Sequence, residues 1–238
     1  MAAKSDLQPS VLAGPPTAVS GLLPFNNDTS GALTISEVVV TDPDGVQATL
    51  AVDPITVGPG RNARIPVRLA LDPHTPPGAY PIEVGIAGRT GAATIHIVAA
   101  HEVGLTPEVL VVDNLPGVSV VHGIVVANNG NVPVFLADFG AVPLYREDTA
   151  LTTLLGLVNR STAATQALEA LPDPAASIGV TTKSGRVEIG PGDTTVIDLT
   201  IGVPDDLAQS ARYLAALPIA LRTILITVVP AGPEDGSK

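Results

Sequence analysis

Residues 58–71 read GPGRNARIPVRLAL, and this stretch decides the fold class of the chain. Apolar side chains occupy every second position, at Ile65, Val67, Leu69 and Leu71. Because the side chains of a β-strand point alternately to the two faces of a sheet, this spacing predicts a half-buried strand. The Gly-Pro-Gly in front of it predicts a tight turn that leads into the strand.

The same pattern occurs a second time, 132 residues further along the chain. Residues 190–203 read GPGDTTVIDLTIGV, and Ile197, Leu199, Ile201 and Val203 take the places of the four apolar residues of the first copy. Self-similarity at a fixed offset indicates a repeated structural unit.

The segments on both sides of the repeat also match. LQPSVL at 7–12 resembles LTPEVL at 105–110, and a pair of asparagines precedes each Gly-Pro-Gly. We therefore predict two homologous units, at 6–100 and 103–230, joined by a short linker and followed by a flexible tail at 231–238.

The other strand candidates are rich in Val, Ile and Thr and are separated by turns that contain Gly, Pro or Asn. They are 32–40, 46–52, 81–86, 93–98, 109–112, 119–127, 132–139, 186–189, 194–203 and 224–229. Short strands at this spacing predict an all-β sandwich in each unit.

The second unit carries an insertion of about 30 residues, which we place near 146–184. Leu151, Leu154, Leu155 and Val158 follow the i, i+3, i+4, i+7 spacing of a short amphipathic helix. Strands of a longer hairpin are the alternative. Because the insertion is present in one unit only, these four residues are candidates for contact with a partner.

A resemblance to a known family rests on residues 57–84, VGPGRNARIPVRLALDPHTPPGAYPIEV. This segment resembles the turn, strand and corner of bacterial immunoglobulin-like modules, of the cell-adhesion-related and glycosidase-appended types. The resemblance implies two tandem immunoglobulin-like β-sandwiches, with Tyr80 and Tyr213 as corner tyrosines whose hydroxyls bond back to the backbone. Ser210, Ala211 and Arg212 replace the Pro-Gly-Ala that precedes the first tyrosine. Such a sandwich says little about activity, since many functions share it.

Charge and composition exclude several kinds of function. The net charge is −11, so the field of the molecule disfavours binding to nucleic acid. The chain has no cysteine, no tryptophan and only six aromatic residues, which argues against thiol chemistry and against aromatic platforms for sugars. We expect no insertion into a membrane, because Pro218 and Arg222 interrupt the most apolar stretch. No secretory leader is recognisable, so the compartment is either the cytoplasm or, for a trimmed chain, the cell envelope.

Catalytic and metal-binding patterns are weak. The four histidines lack metal-ligand spacing, and Ser119 and His122 alternate to opposite faces of one predicted strand. We therefore expect no enzyme activity, no catalytic residue and no cofactor. Acid-bearing turns such as 42–45 could hold calcium, and solvated turn residues are the alternative.

Arg61, Arg64 and Arg68 form a small basic row on the first strand. We expect them to pair with acids of a neighbouring strand, while Arg64 and Arg68 are also candidate contacts for a partner. The sequence thus favours a non-catalytic structural or protein-interaction module. An accessory domain pair of a polysaccharide-acting hydrolase and a calcium-rigidified adhesion module are the alternatives.

Overall fold

A computed structural model describes residues 7–136, 139–148, 173–183 and 185–231. The described chain is built from β-strands, which confirms the predicted all-β class. The strands are β1 (Ser10–Gly14), β2 (Val19–Asn27), β3 (Leu33–Thr41), β4 (Gln47–Val57), β5 (Arg61–Leu69), β6 (Gly78–Ile86), β7 (Arg89–Ile97), β8 (Val103–Thr106), β9 (Val109–Asn114), β10 (Ser119–Asn128), β11 (Val134–Leu136), β12 (Gly140–Arg146), β13 (Ala176–Thr182), β14 (Val187–Ile189), β15 (Thr194–Gly202), β16 (Tyr213–Ile219) and β17 (Arg222–Pro230).

The chain divides into two compact units. Unit 1 comprises Met1–His101 together with Gly130–Val132, and unit 2 comprises Glu102–Asn129 together with Pro133–Lys238. Each unit has its own hydrophobic core. The short segment at 130–132, which the repeat pattern placed in the second unit, therefore packs with the first.

Unit 1 is a sandwich of two groups of strands. One group is β1–β2–β5 and the other is β4–β3–β6–β7, with β1 pairing antiparallel with β2 and parallel with β7. Phe25 and Ile65 from the first group pack in the same core as Val38, Val84 and Ile95 from the second. The core therefore lies between the two groups, and the outer sides of the strands face solvent.

Unit 2 has a related arrangement that differs in how its strands are joined, and β11 and β14 form a separate two-stranded sheet. Its strand order is β8–β10–β15–β13–β12–β16–β17–β9, and the parallel pair is now β9 with β17. The two groups of strands are joined through β13, which pairs with both β12 and β15. Ile178 and Val180 of β13 are fully buried.

The position of β13 corrects the predicted extent of the insertion. Residues 176–182, which the prediction assigned to the inserted segment, form an integral strand of unit 2. The predicted strand 132–139 is also wrong in its bounds, since β11 covers only Val134–Leu136 and a separate strand, β12, begins at Gly140. Residues 149–172, including the predicted helix, lie outside the described residues.

β2 is not among the strands predicted from the sequence, because its local composition is typical of turns. Gly21, Pro24 and the two terminal asparagines are typical of turns, yet Val19, Leu23 and Phe25 point inward and are buried. A proline is tolerated here because the pairing of β2 with β1 joins Ser20 and Gly21 to β1, so Pro24 lies beyond it. Burial against the core outweighs the weak strand propensity of this segment.

The apolar stretch 213–229 forms a hairpin. β16 and β17 pair antiparallel from Tyr213 opposite Val228 to Ile219 opposite Arg222. Within the part of the chain that the structure describes, no helix has the length and apolarity that crossing a bilayer requires.

A buried asparagine fastens the Gly-Pro-Gly turn in both units. In unit 1, Asn27 Nδ2 donates to the carbonyl of Val57 at 2.8 Å, and the amide of Gly60 donates to the carbonyl of Asn27. In unit 2, Asn128 Nδ2 donates to the carbonyl of Ile189 at 3.0 Å, and the amide of Gly192 donates to the carbonyl of Asn128. The carbonyl that accepts from the asparagine side chain belongs, in each unit, to the residue directly before Gly-Pro-Gly. The two turns are therefore held by the same contacts.

Candidate interaction surface

The two predicted corner tyrosines bond to the backbone in different ways. The hydroxyl of Tyr80 donates to the carbonyl of Pro76 at 2.8 Å, in an exposed position. The side chain of Tyr213 is buried, and its oxygen accepts a hydrogen bond from the amide of Ala208 at 3.0 Å. Each tyrosine thus fastens the loop before its own strand.

Removing the two hydroxyls separately should have unequal effects. We expect Tyr213→Phe to lower the free energy of unfolding of unit 2 by about 1 kcal/mol, because the amide of Ala208 loses its acceptor. Tyr80→Phe should lower that of unit 1 by at most about 0.5 kcal/mol, because water replaces an exposed partner. Urea denaturation of the full chain followed by circular dichroism measures both, and an equal or reversed order would contradict this assignment.

The predicted basic row is shorter than expected. Arg64 and Arg68 are exposed on the outer side of β5. Arg61 lies three positions before Arg64, so its side chain falls on the other side of the strand. The predicted pairing with acids of a neighbouring strand is wrong. The strand next to β5 is β2, which contains no acidic residue, and none of these three arginines forms an ion pair within the described residues.

Apolar side chains lie beside these two arginines. On β2, Leu22 pairs with Pro66 of β5, while Pro24 and Ser20 pair with the two arginines. Leu22 is 51% exposed, and Val11 on the adjacent strand β1 is 58% exposed. We call Val11, Leu22, Arg64, Pro66 and Arg68 the unit 1 outer face. It combines exposed apolar groups with two cations and has no acidic residue on its three strands.

The equivalent face of unit 2 is apolar and acidic. Val125 pairs with Val196, and Gly123 pairs with Asp198, across β10 and β15. Val121 and Val196 are 64% and 66% exposed. We call Val121, Gly123, Val125, Val196 and Asp198 the unit 2 outer face. At the same distance from the Gly-Pro-Gly turn, β15 has Val196 where β5 has Arg64, and it has Asp198 where β5 has Pro66.

Gly123 leaves a notch in the unit 2 outer face. A Cβ atom added at this position would lie 3.8 Å from Oδ1 of Asp198 and 3.7 Å from Cγ1 of Val196. The missing side chain therefore leaves a shallow gap beside the carboxylate, which a single methyl group would fill in ordinary van der Waals contact with Val196 and Asp198. Asp198 is exposed and forms no ion pair within the described residues.

Only part of these faces is predictable from the sequence. Arg64 and Arg68 are predicted because they alternate with apolar residues on one strand. Val11 and Leu22 lie on strands that were not predicted, although their alternation with the buried Leu12 and Leu23 is a usable signal. The predicted partner contacts Leu151, Leu154, Leu155 and Val158 lie outside the described residues, so they stay a prediction.

Candidate catalytic and metal-binding groups remain scattered. Ser119 and His122 lie three positions apart on β10 and so point to opposite sides of the strand. In the calcium candidate turn, Oδ1 of Asp42 accepts the amide of Val46 at 2.8 Å, as in an ordinary turn. Within the described ranges, no three His, Asp or Glu side chains come together as metal ligands.

The sequence matches no protein-family model and no curated protein. Among solved structures, the chain is similar to a protein of unknown function from Porphyromonas gingivalis W83, at 14% identity and a TM-score of 0.29, covering 95% of this chain and 97% of that one. It is similar to domains 4 and 5 of the S-layer protein SbsC, at 13% identity and a TM-score of 0.28, covering 84% of this chain and 100% of that one. It is also similar to titin domains Z1Z2 in complex with telethonin, at 13% identity and a TM-score of 0.28, covering 98% and 100%. Values this low carry no argument about function.

The class of the protein follows from its strand pairing. In unit 1, β1 pairs antiparallel with β2 of one group and parallel with β7 of the other. In unit 2, β8 pairs antiparallel with β10, and β9 pairs parallel with the last strand, β17. In each unit a single core fills the space between the two groups. This arrangement defines immunoglobulin-like β-sandwiches. The predicted fold class is therefore confirmed for the described residues.

Proposed function

We propose that the chain is a non-catalytic protein-interaction module and that the unit 1 outer face is its contact surface. The observation that carries this proposal is the grouping of exposed Val11, Leu22 and Pro66 beside Arg64 and Arg68, which lack acidic partners among the described residues. Clustered apolar groups on a soluble domain commonly mark an interaction site.

The chemistry of this face defines the kind of partner. Its centre is apolar and its neighbouring charges are guanidinium groups, which bind carboxylates with directed hydrogen bonds. A complementary surface therefore carries apolar side chains beside Asp or Glu. The setting that the family resemblance implies, a bacterial cell surface or a multi-protein assembly, is part of this proposal.

Photo-crosslinking tests the proposal directly. A benzophenone amino acid at position 22 reacts with whatever protein touches the face. The same group at Val46 serves as the control, because Val46 is at least as exposed, at 66%, in a turn remote from β1, β2 and β5 in the strand order. We expect a crosslinked protein at position 22 that is absent at position 46 and is lost when Arg64→Glu and Arg68→Glu are added. Crosslinking that does not depend on position or on the two arginines would contradict the proposal.

The two alternatives from the sequence have separate tests. An accessory role in a hydrolase predicts binding to a soluble polysaccharide in calorimetry, and calcium rigidification predicts a chelator-reversible rise of the melting temperature in millimolar calcium. No arrangement of the described residues favours either, so both stay predictions.

A further inference from the structure

We infer that the partner of the unit 1 outer face is the unit 2 outer face of a second copy of this chain. This inference rests on the proposed function, because it names the occupant of the same surface. Two equivalent faces of one protein carry opposite charge, and each combines this charge with exposed apolar side chains.

Charge complementarity is the first argument. The strands β1, β2 and β5 contain arginines and no acidic residue, whereas β8, β10 and β15 contain Asp198 and neither lysine nor arginine. Unit 1 as a whole also carries less negative charge than unit 2, since residues 1–101 sum to −3 and residues 102–238 to −8. Two like faces would oppose like charges, so the favourable contact is between unlike faces.

Shape is the second argument. The notch at Gly123 keeps Asp198 exposed beside exposed valines, where the end of a long cationic side chain from another molecule can reach the carboxylate. Arg64 and Arg68 are exposed, lie on either side of Pro66 and have no partner of their own within the described residues. An arginine of one copy inserted beside Asp198 of another would form a charge-assisted hydrogen bond while its stem covers the valines.

The contact is heterologous, and this has a structural consequence. Each copy carries one face of each kind, so a pair formed through unlike faces leaves one free face at each end. Association therefore continues beyond a dimer, into open chains or a closed ring.

Sedimentation velocity of the full chain at about 0.15 M salt tests the inference, because the long-range repulsion between two acidic molecules is screened beyond about 8 Å there. We expect the mean mass to rise between micromolar and millimolar concentration and to pass that of a dimer. Arg64→Glu should weaken association at least about tenfold, since an attraction becomes a repulsion. Arg61→Glu makes the same change of charge on the other side of β5 and should change association less than about threefold. Gly123→Val should block the notch and weaken association without disturbing the strand.

Mixing two variants distinguishes this arrangement from any other. Arg64→Glu with Arg68→Glu disables the unit 1 outer face, and Val196→Glu disables the unit 2 outer face at an exposed position. Each variant alone should be a monomer, and their mixture should form a 1:1 complex and nothing larger, because one intact pair of faces remains.

Four results would overturn the inference: a wild-type chain that stays monomeric, equal effects of Arg61→Glu and Arg64→Glu, a Gly123→Val variant that associates as the wild type does, or a mixture that forms no complex. If the chain is monomeric but a different protein is crosslinked at position 22, the inference fails and the proposed function stands. If neither association nor position-dependent crosslinking occurs, both fail.

Discussion

Asn27→Ala should lower the free energy of unfolding of unit 1 by about 3 kcal/mol, a loss typical of removing a buried hydrogen-bonding group whose partners stay behind. The side chain is fully buried, and its Nδ2 donates to the carbonyls of Val57 and Gly31 at 2.8 and 2.7 Å. Its Oδ1 accepts the amide and the hydroxyl of Thr29 at 3.1 and 2.7 Å. Alanine would leave the buried carbonyl of Val57 without this donor.

Two further variants make this expectation specific. Asn27→Asp keeps the size of the side chain but replaces the donor with an acceptor facing two carbonyls, so its loss should be at least as large as that of alanine. Asn26→Ala changes the adjacent asparagine, which is exposed, and should stay within about 0.5 kcal/mol of the wild type. Hydrogen exchange of the full chain measures the loss in peptides of unit 1, with peptides of unit 2 as the internal reference. A loss for Asn26→Ala that matches that of Asn27→Ala would refute the anchoring role.

The sequence was sufficient for features that depend on neighbours along the chain. Alternation at Ile65, Val67 and their counterparts Ile197 and Leu199 predicted the inward side of β5 and β15, and the structure buries all four. The same alternation placed Arg64 outward. A period of two is a property of one strand, so it is readable without knowing what the strand pairs with.

Features that depend on pairing between distant strands could not be predicted. Asn27 could be recognised as preceding a turn, but its burial depends on the carbonyl of Val57, which lies 30 residues later. The notch of the unit 2 outer face likewise requires the register that sets Gly123 opposite Asp198. A shift of this register by one residue would place the aspartate opposite His122 or Ile124 instead of opposite the glycine.

The interaction proposal depends on this second kind of information. Exposed valines are common in isolation and need no explanation. The unit 2 outer face becomes a candidate site only because strand register brings Val125 and Val196 together beside a carboxylate. This is why the sequence analysis proposed partner contact for Arg64 and Arg68 but assigned no role to the face that complements them.

Phe25→Ala should have the largest effect of any substitution considered, a loss of about 3–5 kcal/mol in the free energy of unfolding of unit 1. The ring is 2% exposed and lies in the core between the two groups of strands. The guanidinium carbon of Arg89, from β7, lies 5.5 Å from the ring centroid. The same arginine donates to the carbonyl of Asn26 at 2.9 Å and is ion-paired with Asp28. The ring therefore supports both the core and the contact that fastens the end of β2 to β7.

A second phenylalanine of the same chain provides the control for this prediction. Phe135 also lies under an arginine, with the guanidinium carbon of Arg186 4.9 Å from its ring centroid, but its side chain is 49% exposed. Phe135→Ala should therefore cost about 1 kcal/mol or less, the value of an exposed cation–π contact with little loss of packing. Phe25→Leu retains most of the apolar volume and should cost about 1.5 kcal/mol.

Because a domain of this size is stable by only about 5–15 kcal/mol, Phe25→Ala should remove most of the hydrogen-exchange protection of unit 1 and leave unit 2 protected. Equal losses for Phe25→Ala and Phe135→Ala would show that the cation–π contact, rather than burial between the two groups of strands, determines the contribution of the ring.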